Sequence, residues 1–102
     1  MLQLRPNCEY CDKDLPPASL DARICSYECT FCAACVAKVL RGVCPNCGGG
    51  FAPRPIRPAT ARRPGVSLMH QPASAERRQL KWDRATLAAF TDAVASVPPE
   101  QR

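Results

Sequence analysis

Eight cysteines fall between Cys8 and Cys47 in the order C-x2-C-x13-C-x3-C-x2-C-x2-C-x8-C-x2-C, and none follows in the last 55 residues. A C-x2-C step suits one metal ion, because a single tight turn brings two thiolates onto it at ~2.3 Å with backbone amides directed at sulfur. Short steps of this kind supply the eight ligands of two tetrahedral Zn²⁺ sites. Disulfides are the competing use of the same residues, with iron–sulfur or redox chemistry behind them. Met1-Leu2-Gln3-Leu4-Arg5-Pro6 lacks the apolar centre of a secretory signal, and no apolar run approaches the ~18 residues of a membrane span. The expectation is therefore a cytoplasmic chain, away from membranes, where thiols stay reduced and bind zinc.

Composition supports a metal-held fold. At 102 residues, with aromatics at 6%, the chain cannot assemble a large apolar interior. Asn7-Cys8-Glu9-Tyr10-Cys11-Asp12 and Cys44-Pro45-Asn46-Cys47-Gly48-Gly49 read as zinc knuckles, with Asn, Asp or Gly at hand for left-handed turn positions. Leu15-Pro16-Pro17-Ala18-Ser19 is a loop, since adjacent prolines oppose helix and central strand alike. Ala22 to Tyr27 has the length and branched content of a short strand. Ala33 to Leu40 is free of Gly and Pro, places Val36, Val39 and Leu40 on one face, and precedes a terminating Gly42. A strand pair followed by a short helix between ligands is the predicted core.

Charge divides the chain where the cysteines end. Residues 1–52 carry five bases and five acids, whereas residues 53–102 carry nine bases and four acids. The boundaries predicted are a two-zinc module over 1–52, a basic Pro-rich linker over 53–73, an amphipathic helix over 74–97 and a disordered end over 98–102. In the helix, Leu80, Leu87, Phe90, Val94 and Val97 line one face, Ser74 or Asp83 is a candidate cap, and Pro98-Pro99 ends it. Such a stripe needs cover, from the zinc module, a second copy or a partner protein.

The eight-ligand spacing, with Phe31-Cys32-Ala33-Ala34-Cys35 before a helix and Cys44-Pro45-Asn46-Cys47 after it, resembles the RING-finger arrangement. Cys29 stands where many RING domains have histidine. More closely, Leu4 to Cys8, Cys11 to Pro17 and Ile24 to Cys32 are similar to a family of small, mostly bacterial proteins known as domain of unknown function 1272, over residues 1 to about 57. That resemblance implies a small zinc-stabilised α+β fold of RING type. In RING-like folds the sites interleave, so Cys8, Cys11, Cys32 and Cys35 would hold one ion and Cys25, Cys29, Cys44 and Cys47 the other. Sequential filling would instead pair Cys8, Cys11, Cys25 and Cys29, then the remaining four. Spacing alone does not choose, although interleaving crosslinks distant segments where apolar contacts are few.

Catalysis is not expected. Eight thiolates on two ions leave no open coordination position for water or a small-molecule substrate. His70 stands alone in the linker with no nucleophile or orienting acid beside it in sequence. RING ligases present an apolar residue in the first knuckle, an apolar helix residue and often a cation after the last ligand. Tyr10 and Leu40 fit the first two roles, but Gly48 occupies the third. A nucleic-acid role would rest on Arg54, Arg57, Arg62 and Arg63, an extended basic stretch without interleaved aromatics, so weak and sequence-indifferent binding is the most it implies. The leading expectation is a zinc-binding scaffold for protein interaction, with Tyr10, Tyr27 and Phe31 as candidate contacts and a protein partner or self-association through the C-terminal helix.

Overall fold

The computed structural model describes residues 1–102. Its first knuckle is a narrow loop closed by Cys8 N–H to the Lys13 carbonyl and Leu15 N–H to the Pro6 carbonyl, each at 2.8 Å. Asp12 turns this loop with φ of 65°. β1 (Ala22–Ile24) and β2 (Thr30–Cys32) then pair antiparallel, Ala22 opposite Cys32 and Ile24 opposite Thr30. The turn joining them holds Cys25 and Cys29, with Glu28 at φ of 68°. α1 (Ala33–Lys38) leaves directly from Cys32. It stops earlier than the predicted Leu40, because the chain leaves helical geometry for Arg41 and Gly42 at φ of 48° and 75°. β3 (Ala52–Pro53) adds to the other side of β1, giving the sheet order β2-β1-β3.

The interior is small. Of the 13 buried apolar residues six are cysteines, and Leu4, Leu15, Phe31, Leu40 and Val43 supply most of the remaining volume. Phe31 packs edge-on against Phe51, ring centres 5.5 Å apart. A core in which sulfur takes nearly half the apolar positions requires something to hold the sulfurs together.

The extension departs from the predicted linker, helix and loose end. α2 spans Arg84–Val94, shorter by a full ten residues at its start than the predicted 74–97. Residues 75–82 run extended, with Arg78 N–H donating to Asn7 Oδ1 and Leu80 N–H to the Glu9 carbonyl, bonds that a helix would have to break. Asp83 instead caps the helix, accepting from Thr86 N–H at 2.7 Å. The helix lays Leu87 into the core and buries Thr91, while Phe90 sits over Gly48 at the rim. Residues 98–102 also differ from the predicted loose end, forming a 3-10 turn (Pro99–Gln101) tied down by Arg102 donating to the Gly42 and Gly48 carbonyls. The basic stretch is pinned by its own arginines. Arg54, 4% exposed, donates to the carbonyls of Arg5, Leu15 and Pro16, and Arg57 donates to those of Leu2 and Gln71. No helix is long and apolar enough to cross a membrane.

Candidate metal centre

The knuckles deliver their sulfurs in two groups. The sulfurs of Cys8, Cys11, Cys32 and Cys35 all lie within 4.8 Å of one another, and so do those of Cys25, Cys44 and Cys47. Four sulfurs on a tetrahedral ion at ~2.3 Å would stand ~3.8 Å apart. Cys11 and Cys32, from different knuckles, are 3.8 Å apart. Cys29 is next to Cys25 and Cys44 and accepts from Asn46 Nδ2 over 3.5 Å, but it is not within the same reach of all three. The first knuckle thus meets the end of β2 and the start of α1, while the β1–β2 turn meets the last knuckle. This is the interleaved arrangement.

Backbone geometry suits the donors to a cation. Tyr27 N–H donates to Cys25 Sγ at 3.3 Å and Gly49 N–H to Cys47 Sγ at 3.4 Å, placing amide dipoles against sulfur as metal knuckles require. Asp12 and Gly48, directly after Cys11 and Cys47, both take the left-handed conformation that reverses the chain at each knuckle. Burial pushes the Cys25 thiol up to about 11 and also raises Cys8 and Cys35. Its contact with Cys44 brings Cys29 down to about 5, and the same contact raises Cys44. Thiols crowded this closely form a donor set in which a divalent cation can replace the thiol protons. Every candidate donor is a soft sulfur, a set compatible with zinc and unsuited to hard cations such as magnesium or calcium.

The side chains that brace the ligands carry no warning in the sequence. Glu9, 5% exposed, accepts from Arg5 at 3.0 Å and from Thr30 N–H at 2.6 Å, tying the first knuckle to β2. Asn7, fully buried, donates to Asp12 Oδ1 and to the Cys8 carbonyl. Only their places beside Cys8 set them apart from other polar residues.

The candidate contact residues separate. Tyr27 is 71% exposed, Phe31 is wholly buried, and Tyr10 is half-buried against the extension. Leu40 is buried, so it offers no surface. His70 is exposed and bonds Ser67 Oγ through Nδ1 at 2.8 Å, outside both sulfur groups. Of the four arginines considered for nucleic acid, Arg54 is buried and Arg57 is bonded to carbonyls, while Arg62 and Arg63 are exposed.

Comparison with known proteins places the cysteine-bearing half. The family described as "Protein of unknown function (DUF1272)" matches residues 1–57. An uncharacterized protein of Rhizobium meliloti (strain 1021) is 65% identical over 60 residues, covering 59% of this chain and 71% of the relative. No solved structure matches.

Proposed function

We propose, for a chain that belongs to the DUF1272 family by its match over residues 1–57, that residues 1–52 are a protein-interaction module held together by two non-catalytic zinc ions. The observation that carries this reading is the crossing of the two sulfur groups. Each draws on segments far apart in sequence, so each ion would lock together parts of a chain whose apolar interior is too small to do so. Cys8, Cys11, Cys32 and Cys35 would hold one ion; Cys25, Cys29, Cys44 and Cys47 would hold the other. Bound zinc supplies cohesion here, and a full complement of thiolates leaves it weakly Lewis-acidic.

The surface favours protein over nucleic acid as partner. Arg54 and Arg57 are committed to carbonyls, and the thiolates make the module net negative even with two divalent ions bound. A ubiquitin-ligase-like adaptor finds less support, because Leu40 is buried and Phe90 lies over Gly48. Cobalt substitution tests the closed-site reading. Two equivalents should give tetrahedral tetrathiolate absorption that added azide or cyanide leaves unchanged. An anion-dependent spectrum reveals an open position and overturns it.

A further inference from the structure

The segment just before α2 is held as a bound peptide would be. Ser74 N–H donates to the Leu4 carbonyl and Leu80 N–H to the Glu9 carbonyl, each at 2.9 Å, so residues 74–80 run parallel to residues 4–9. Between these bonds the Asn7 carboxamide pairs with both main-chain groups of one residue, Arg78. Its Oδ1 accepts from Arg78 N–H at 3.1 Å and its Nδ2 donates to the Arg78 carbonyl at 2.8 Å. A carboxamide offers a donor and an acceptor in one plane, so it matches the N–H and C=O of one extended residue whatever side chain that residue carries.

Side chains add selectivity to this backbone grip. Arg77 forks onto acids of the first knuckle, reaching Asp14 Oδ1 at 2.7 Å and Asp12 Oδ1 at 2.8 Å, and also donates to the Asp12 carbonyl at 2.7 Å. Leu80 packs against the core beside Tyr10. Trp82 Nε1 donates to Asn46 Oδ1 at 3.0 Å in the last knuckle. Alternating main-chain bonds with pockets for spaced side chains are how extended peptides are recognised on protein surfaces. The receiving residues Leu4, Asn7, Glu9, Asp12 and Asp14 lie inside the family match, and the occupying segment lies outside it.

We infer that the zinc-held module carries a peptide-binding groove, and that residues 74–82 are its intramolecular occupant. Its partner in trans is an extended protein segment with a cation, an apolar residue three positions on and an aromatic residue two beyond that. This rests on the reading of residues 1–52 as a zinc-stabilised interaction module, whose surface it specifies. While tethered, the tail competes at a high local concentration and keeps the groove closed.

The test uses the full-length chain with its metal, and a fluorescent peptide of residues 74–97 as probe. Combining Arg77→Ala with Leu80→Ala in the protein weakens the tethered occupant, so the labelled wild-type peptide should bind about tenfold tighter or better than it binds the unaltered chain. Adding Asp12→Lys and Asp14→Lys should abolish that gain, and a probe carrying Arg77→Glu should recover it. As a second arm, a specific protease site inserted between the exposed Arg62 and Arg63 allows the tail to be cut free after folding. The released fragment should dissociate on dilution and rebind on concentration. Native mass spectrometry run alongside counts the metal. If the weakened chain retains two ions yet binds no probe, or the cut tail never rebinds, the groove is refuted and the zinc module stands. If the unaltered chain lacks the ions, the module reading fails, and this inference with it.

Discussion

The two sulfur groups and the extension are ordered by different means. In the module, each cysteine cluster gathers chain segments that share little apolar contact, and the φ-positive residues Asp12, Glu28 and Gly48 turn the backbone to present sulfur. In the extension, Arg54, Arg57, Arg77 and Arg102 reach across to carbonyls or acids of the module, and only Leu87 is a fully committed core residue. With the proposed zinc ions, the module's order is internal and metal-dependent, and the extension's is borrowed from a surface that must already exist. The dependence should therefore run in one direction.

Metal removal gives the largest effect. Structural zinc contributes an apparent ~10–16 kcal/mol per site near neutral pH, so chelation should unfold the module. The helical circular dichroism of α2 and the fluorescence of Trp82 should change together with it, because the surface beneath them is lost. Helix signal that survives verified chelation would make the extension self-sufficient and its order independent of the module. Ligand pairs sharpen it next. Cys8→Ser with Cys32→Ser strikes one sulfur group and should leave one ion by native mass spectrometry, whereas Cys8→Ser with Cys25→Ser strikes both and should leave none. Sequential pairing predicts the reverse outcome for these two double variants.

This asymmetry also explains what the sequence could tell. The knuckles were legible because a ligand pair needs fixed spacing and a small or left-handed-tolerant neighbour, and Asp12 and Gly48 sit where that rule puts them. The strand pair and α1 followed from ligand spacing with branched and Pro-free stretches between. The extension was misread because its order is nonlocal. Leu80 fits the helical stripe of Leu87 and Phe90 by period, yet its amide is taken by Glu9, a residue 71 positions earlier. Pro53-Arg54-Pro55 reads as a solvated basic linker, and only the fold reveals carbonyls of Arg5, Leu15 and Pro16 converging on Arg54. Hydrophobic periodicity reports which face is apolar, and it is silent on where a backbone donor finds its acceptor.

Arg54 makes the most deeply buried side-chain bonds between the two regions, so its loss should come third in size. Arg54→Ala orphans three carbonyls, those of Arg5 and Leu15 in buried bonds, and should destabilise the chain by about 3 kcal/mol. The loss is read as a lowered denaturant midpoint with both metals retained. Arg54→Lys should recover little, since an ammonium cannot span the carbonyls that the planar fork reaches. A full rescue by lysine shows that charge alone matters and weakens the account of the extension as hydrogen-bonded onto the module.

The smallest effect belongs to the end of the borrowed structure, where α2 begins. The Thr86 backbone N–H holds the Asp83 carboxyl below the ordinary carboxylate range. A carboxyl whose folded pKa is depressed contributes stability above its unfolded pKa and loses it as pH falls through the folded value. Asp83→Ala should therefore reduce helical circular dichroism slightly at neutral pH and leave the metal count unchanged. As the pH is lowered through the carboxylate range, the variant and the parent should converge. That titration must be followed by difference between the two chains, because acid also protonates thiolates and releases metal from both. A gap that persists at low pH assigns the helix start to packing of Leu87 on the module and not to its cap, which would make α2 still more dependent on the surface beneath it.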